Sequence, residues 1–103
     1  MHFCFITTDS ITIKMFYKTI GEALCSCGHE VTYVSNFHNC FSGFSFCNEE
    51  HIIDINMKRG FSLSDYFLMP ASIKRILIKN SFDFVCYSTP NASFYAAKAL
   101  RNM

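Results

Sequence analysis

The sequence predicts a single α/β domain in which helices cover both faces of a four-stranded parallel sheet. Strand-like and helix-like segments alternate along the chain, the strand-like segments are short and apolar on both faces, and glycine or proline stands near several segment ends. The 103 residues fit one compact domain, and 50% of them are hydrophobic, which supplies a core. We therefore expect residues 1–103 to form a Rossmann-like three-layer half-domain with strand order 3-2-1-4.

The first part of the chain contains two predicted strands and one helix. Residues 2–7 form a short apolar run, typical of a strand that is buried on both faces. A helix is indicated by apolar residues at helical spacing, namely Ile13, Phe16, Tyr17, Ile20, Ala23 and Leu24. Gly28 follows where a helix C-cap favours positive φ, and residues 31–35 are β-branched and aromatic, as in a strand.

The middle of the chain is less regular. Residues 36–50 predict a loop with a short helix or a hairpin turn, and residues 51–55 predict the third strand. A helix follows over 63–80, with an apolar stripe formed by Phe67, Ile73, Ile76 and Leu77. Pro70 either starts the main helix at its first turn or kinks a longer one.

The last part of the chain predicts a fourth strand over 82–88 and an alanine-rich helix over 92–101. In parallel α/β sheets, ligands bind beyond the carboxyl ends of the strands. Here those ends are the loops at 7–12, 35–38, 56–60 and 88–91, which we expect to lie along one edge of the sheet.

Composition excludes several classes of protein. The net charge of +1 argues against a nucleic-acid binder. No apolar run reaches 18 residues and no basic leader precedes the first strand, so we expect a cytoplasmic protein with at most peripheral membrane contact. The six cysteines are expected to be reduced and mostly buried, with Cys86 pointing into the core. The spacing Cys25-x-Cys27-x-His29 matches no usual zinc pattern, and no Gly-x-Gly-x-x-Gly is present, so neither a metal nor a cofactor is expected.

Three groups of polar residues follow the predicted strands and are candidate site residues. Thr8, Asp9 and Ser10 either contact a sugar or phosphate, or cap the first helix. Ser88, Thr89 and Asn91 either present free helix amides to an anion, or again form a simple cap. The basic residues Lys58 and Arg59, with Lys14 and Lys18 from the first helix, form either a basic face beside the cleft or ordinary solvated charge.

The order and spacing of several motifs resemble the N-terminal domain of family 4 glycosyltransferases, which have the GT-B fold. The motifs are Ile-Asp-Ile-Asn-Met-Lys-Arg at 53–59, Ser62, Phe-Asp-Phe-Val at 82–85 and Thr-Pro-x-Ala at 89–92. Members of that family often read V-I-D-I-P-M-x-R-x-I-S-P and, after a helix, F-D-I-V-H-T-H-T-P-K-A-G. The spacing agrees without a gap from Ile53 to Ala92, and the segments 5–9 and 28–32 also match. The resemblance covers nearly the whole chain except residues 36–50.

The sequence also departs from that family pattern. Cys86, Ser88 and Asn91 stand where the family has its two His and its Lys, so the roles of those groups cannot be carried over. The family's later strands and its C-terminal domain, which holds the nucleotide-sugar, have no counterpart in these residues. The resemblance therefore implies the acceptor-side half of a retaining glycosyltransferase for polysaccharide or glycolipid assembly, inactive until a C-terminal domain completes it.

Two further expectations follow. Strand 82–88 is an apolar edge in the order 3-2-1-4, so we expect it to mediate self-association or to bind a split-subunit partner. The rival interpretation from another functional class is a non-enzymatic, flavodoxin-like binding or interaction module that shares only the architecture.

Overall fold

The computed structural model describes residues 1–37, 48–55, 63–88 and 90–101, and these form the predicted three-layer α/β fold. The strands are β1 (His2–Asp9), β2 (Glu30–Asn36), β3 (Glu50–Asp54) and β4 (Phe84–Tyr87). They form one sheet in the order β3-β2-β1-β4, and every neighbouring pair is parallel. The predicted order is therefore confirmed. Most of the segment for which a loop with a short helix or hairpin turn was predicted, 38–47, lies outside the described residues.

Helical residues run without a break from the end of β1 to Ser26. They comprise α1 (Ser10–Thr12), a π-helical segment (Ile13–Tyr17) and α2 (Lys18–Ser26). The predicted glycine cap is confirmed, because Gly28 has a φ of +89° and its N–H donates to the Cys25 carbonyl at 3.0 Å. The π-helical segment was not predicted, since apolar spacing alone does not distinguish one wider turn from a regular α-helix.

The other two helices are α3 (Leu63–Asn80) and α4 (Pro90–Arg101). Pro70 lies inside α3, so the prediction that it starts the main helix is wrong, and the alternative of a longer helix that contains the proline holds. A proline inside a helix destabilises it by about 3 kcal/mol. Pro70, Ile73 and Leu77 are all buried at helical spacing, and the burial of that stripe offsets the loss.

Each face of the sheet has its own hydrophobic core, because side chains alternate along every strand. On one face, Cys4, Ile6 and Val34 pack against α3 and α4 through buried residues such as Ile73 and Tyr95. On the other face, the buried core residues are Phe5, Ile13, Val31, Tyr33 and Phe37. The helical stretch that follows β1 therefore covers one face of the sheet, and α3 with α4 covers the other.

An irregularity in β1 shapes the end of the sheet where the candidate residues lie. The pairing of β1 with β2 joins Ile6 to Val34 and then Asp9 to Asn36, so β1 holds one more residue than β2 between these pairs. Such a bulge locally reorients side chains. Here it falls at Thr7 and Thr8, directly before the first helix.

The cysteines differ from the sequence expectation. The four that the structure describes are free thiols, as predicted, but only Cys4 is buried. Cys86 is exposed, so the prediction that it points into the core is wrong. It lies on the outer strand β4, where a neighbour on one side only leaves the side chain open to solvent.

Candidate functional site

The carboxyl ends of the four strands meet along one edge of the sheet, which we call the rim. It is defined by the last residues of the strands, Asp9, Asn36, Asp54 and Tyr87. Parallel pairing brings these ends together, with Ser35 opposite Asp54 and Ile6 opposite Tyr87. Four of the predicted site residues therefore share this edge: Thr8, Asp9, Ser10 and Ser88.

Thr8 connects the end of β1 to the beginning of α4. Its hydroxyl accepts a hydrogen bond from the backbone N–H of Ala92 at 3.0 Å, and both groups are buried. The first N–H groups of a helix lack partners within the helix and form the usual binding site for an anion. Thr8 thus occupies one of the α4 amides that the sequence interpretation offered to a ligand.

Asp9 caps the first helix, which was one of the two predicted roles. Its backbone is extended (φ −126°, ψ 140°), and its Oδ1 accepts a hydrogen bond from the N–H of Ile11 at 3.2 Å. Ser10 is the first residue of α1 and is buried. The capping role of Asp9 is confirmed, whereas contact of Asp9 or Ser10 with a sugar stays a prediction.

Ser88 is held by a residue that the sequence analysis assigned only to the core. The Tyr17 hydroxyl donates a hydrogen bond to the Ser88 Oγ at 2.8 Å, and the Tyr17 ring stacks on Phe5 at 5.0 Å between ring centroids. The Ser88 N–H donates to the Ile6 carbonyl at 3.1 Å. The signal available in the sequence was a tyrosine on an apolar stripe, because a buried tyrosine hydroxyl usually has a hydrogen-bond partner, but nothing in the sequence paired two residues that lie 71 positions apart.

Further polar residues also belong to the rim. The hydroxyls of Thr7 and Ser35 lie 2.9 Å apart in full burial, and the Thr7 hydroxyl also donates to the Asp9 carbonyl at 3.0 Å. Thr7 has one hydroxyl proton, so Ser35 is the donor between the two hydroxyls. On the next strand, Asp54 Oδ1 accepts from the Phe37 N–H at 3.1 Å. The rim therefore consists of a row of hydroxyl and carboxylate groups that bond to one another and to the backbone.

Four predicted site residues cannot be compared side chain by side chain. Lys58, Arg59 and Thr89 lie outside the described residues. Asn91 lies in the first turn of α4. The roles predicted for these four residues stay predictions.

Neither role predicted for Lys18, a basic face beside the cleft or ordinary solvated charge, is confirmed. The Lys18 Nζ lies 2.9 Å from Glu22 and 2.9 Å from Glu50, and the Glu50 side chain is 0% exposed. The Tyr33 hydroxyl donates a second hydrogen bond to the Glu50 carboxylate. Glu50 lies at the start of β3, opposite Val31, so this cluster is at the amino-terminal end of the sheet. Lys18 therefore balances a buried carboxylate there and does not extend a surface at the rim.

The pKa values within this cluster follow from its burial and charges. Burial opposes the charged form of Lys18, but its hydrogen bonds to Glu50 and Glu22 outweigh this and raise the pKa of Lys18. Burial, together with the hydrogen bond to Glu50, raises the pKa of Tyr33. Lys18 is thus a cation and Tyr33 a neutral donor over the whole physiological range, and Glu50 has a partner for each oxygen.

A second polar cluster lies at the amino-terminal end of the sheet, on the face of α3. The His2 Nε2 lies 2.7 Å from the Thr32 hydroxyl, while Glu30 Oε2 lies 4.0 Å from His2 Nδ1 and 3.7 Å from His51 Nε2. Burial lowers the pKa of His2 despite the nearby Glu30 carboxylate. Within the described ranges, no group of three His, Cys, Asp or Glu side chains is arranged to hold a metal ion.

One open depression of about 350 Å³ is lined by Glu22, Cys25, Ser26 and Glu49. These residues belong to the second half of α2 and to the turn before β3, so the depression is not part of the rim. In the parts of the chain that are described, no helix is both long and apolar enough to cross a bilayer.

Comparison with known proteins found no similar protein. The chain matches no family model, no curated protein and no solved structure.

Proposed function

We propose that this chain is the N-terminal, acceptor-side half of a retaining glycosyltransferase of the GT-B type. It would act in polysaccharide or glycolipid biosynthesis and take its sugar from a nucleotide-sugar donor. The observation that carries the proposal is the meeting of four parallel strand ends, in the order β3-β2-β1-β4, along one polar rim. Ligands of such sheets bind at this edge, and the motifs that resemble family 4 glycosyltransferases begin or end at it.

The internal hydrogen bonds of the rim separate residues that hold the wall of the site in place from residues that would contact the acceptor. Thr8, Asp9 and Ser88 hold the first helix, α4 and the end of β4 in place through their side chains. They would therefore shape the wall of the acceptor site. We propose that direct contacts to the acceptor come from Thr89 and Asn91, that buried Ser10 helps to shape the wall, and that Lys58 and Arg59 meet the diphosphate group of the acceptor.

A rim of this kind supplies only one wall of a cleft. We therefore propose that the chain is inactive by itself and that transfer requires a second domain, which binds the nucleotide-sugar. Strand 82–88 is the proposed contact for a complementing subunit or for a second copy. The protein would work in the cytoplasm, with peripheral contact to the inner face of the membrane at most.

A second candidate function is a non-enzymatic, flavodoxin-like binding or interaction module. It is favoured by the observation that the hydroxyls of Thr7, Thr8 and Ser88 are all engaged inside the protein. A module of this kind would bind its ligand without help from another domain.

Ligand titration followed by amide NMR shifts tests the proposal. A lipid-diphosphate-linked saccharide should shift amide signals at the rim, including those of Ser88 and Ala92, whereas nucleotide-sugars alone should shift none. Ser88→Ala should weaken the saccharide response, because it removes the oxygen that positions Tyr17. Ser26→Ala is the matched control, since Ser26 lies at the end of α2 and bonds only within its own helix.

The opposite outcomes identify the alternative. Tight binding of a nucleotide-sugar or another small molecule to the chain alone would support the independent module. Saccharide-induced shifts confined to the amino-terminal end of the sheet would contradict the assignment of the rim.

A further inference from the structure

The outer strand β4 lacks the devices that usually protect a sheet edge. In the sheet order, β4 pairs with β1 on one side, and no strand among the described residues lies on the other side. Natural edges are protected by charged residues, proline or bulges. The four residues of β4, Phe-Val-Cys-Tyr, include none of these, and Phe84 is 49% and Tyr87 39% exposed.

The backbone of β4 points its free hydrogen-bonding groups outward at defined positions. The N–H of Ser88 points inward and donates to the Ile6 carbonyl at 3.1 Å. Successive residues of a strand direct their N–H and C=O groups to opposite sides. Val85 and Tyr87 therefore direct theirs to the outside, where another strand can pair.

We propose that a second copy of this chain pairs antiparallel along β4, about a two-fold axis at Cys86, to give a continuous eight-stranded sheet. This inference takes up the second of the two partners proposed above for strand 82–88, and it can fail without affecting the glycosyltransferase assignment. A two-fold axis perpendicular to the sheet keeps the faces of both copies aligned, and opposite residues of an antiparallel pair share a face. Each residue must therefore pair with a residue whose number differs from its own by an even number. For the short strand β4 this condition leaves two registers, one with the two-fold axis at Cys86 and one with the axis at Val85.

The register centred on Cys86 suits the backbone groups of β4 and the nearby Asp83 better than the register centred on Val85. It pairs Val85 with Tyr87 of the second copy, so that the outward backbone groups of both copies bond to each other. It also leaves Asp83, whose carboxylate accepts from the His2 N–H at 2.7 Å, outside the paired region. The register centred on Val85 would place Asp83 opposite the phenol ring of Tyr87, which would desolvate the carboxylate.

A second copy is favoured as the partner because the edge is uncharged and complementary to itself. Two chains with a net charge of +1 each repel only weakly. The helical stretch that follows β1 adds apolar surface near the end of β4, where the Tyr17 hydroxyl donates to Ser88. Phe16 and Ile20 of the same stretch are both exposed.

The exposed area sets the expected strength of the contact. The exposed fractions are 64% for Phe16, 48% for Ile20, 49% for Phe84 and 39% for Tyr87, which amounts to about 400 Å² per copy and about 800 Å² for the pair. Stable interfaces bury about 1,600 Å², and contacts below about 1,200 Å² are typical of transient complexes. We therefore expect a reversible dimer.

Sedimentation equilibrium under reducing conditions measures this association. The chain should be mostly monomeric near 10 µM and mostly dimeric near 1 mM, without larger species, because the two-fold contact closes. Tyr87→Lys should weaken association at least ten-fold. Ile78→Lys is the matched control, since Ile78 is 61% exposed on α3, away from β4. Circular dichroism establishes that both variants are folded.

A disulfide experiment tests the register. In the proposed pairing the two Cys86 residues are directly opposite at a non-hydrogen-bonded position, where Cα atoms lie about 4.5 Å apart, within the range for a disulfide. Oxidised glutathione should join the two thiols, taking up two protons and two electrons to become two glutathione molecules. Peptide mass spectrometry should find the Cys86–Cys86 link in the wild type and in Cys27→Ser, another exposed thiol, but not in Cys86→Ser.

Three results would overturn the proposal. The first is a chain that remains monomeric at 1 mM. The second is a dimer that Tyr87→Lys leaves intact, which would place the contact elsewhere. The third is a dimer without the Cys86 link under oxidation, which would exclude this register.

Discussion

Replacement of Gly21 by alanine tests whether the buried cluster of Lys18, Glu50 and Tyr33 depends on close approach between α2 and β2. An ideal Cβ on Gly21 would lie 1.8 Å from the Tyr33 Oη and 2.8 Å from its Cζ. Both distances are shorter than any contact that a Cβ atom can make, so the Tyr33 side chain must move away from Glu50. In an unconstrained helix the same change stabilises by about 1 kcal/mol. Here steric crowding and helix propensity therefore act in opposite directions.

The magnitude of the Gly21→Ala effect follows from the two terms. Loss of a hydrogen bond to a charged group destabilises by about 1.5–3 kcal/mol. Crowding of a packed core adds about 1–3 kcal/mol. After the gain in helix propensity, we expect a net destabilisation of about 1.5–5 kcal/mol, which lowers the urea midpoint by about 1–3 M for a slope near 1.5 kcal/mol/M. Urea unfolding followed by circular dichroism at 222 nm measures this shift.

Two further variants separate the steric effect from helix propensity. Ala23→Gly, at an exposed position of the same helix, measures the propensity by itself and should destabilise by about 1 kcal/mol. In a Tyr33→Phe background, Gly21→Ala should destabilise by at least about 1 kcal/mol less, because the nearest atom is gone while the ring carbon remains. A neutral or stabilising Gly21→Ala, or an equal loss in both backgrounds, would refute the reasoning.

Three other predictions concern ionisable groups. Lys18→Met should destabilise by about 3–5 kcal/mol in urea unfolding at pH 7, because it leaves the Glu50 carboxylate buried without its cation, and a loss below 1 kcal/mol would contradict this. Burial lowers the pKa of His2 in the folded state, so protonation of His2 favours the unfolded chain. The stability that neutral His2 contributes is therefore fully present above its ordinary pKa and is lost as the pH falls through the lowered pKa of the folded state. The difference in urea midpoint between wild type and His2→Gln should therefore shrink from about pH 7 to about pH 5, and a constant difference would argue against this role. Burial raises the pKa of Cys4 to about 12, so iodoacetamide at pH 8 should modify exposed Cys27 in the folded protein and Cys4 only after unfolding, as peptide mass spectrometry will show.

Sheet topology was predictable because it depends on the pattern of apolar residues within short segments of the sequence. Apolar runs such as 2–7 and the alternation of strands with helices indicate a parallel sheet, and the glycine at 28 ends the first helix for a local steric reason. The cap formed by Asp9 belongs to the same class, since donor and acceptor lie two residues apart. Local rules act within a few residues, and such features were predicted correctly.

Several errors share one cause, which is that local patterns do not report tertiary neighbours. Lys18 was interpreted as surface charge, yet its partner Glu50 lies 32 positions away. Cys86 was interpreted as buried because it lies in an apolar run, but β4 is an outer strand and leaves it exposed. A helix start was one of the two interpretations of Pro70, yet α3 begins seven residues earlier at Leu63, and Pro70 continues into the buried stripe of Ile73 and Leu77.

The sequence by itself determined the class of fold, the order of its strands and the edge where their polar ends gather. These follow from the period of apolar residues and from right-handed connection between parallel strands, which act on any chain of this pattern. Only the tertiary structure decided how the rim residues are used: that Thr8 accepts from the Ala92 N–H and that Tyr17 donates to Ser88. Such bonds join residues that are distant along the chain, and their formation depends on where packing places each backbone to within less than an ångström.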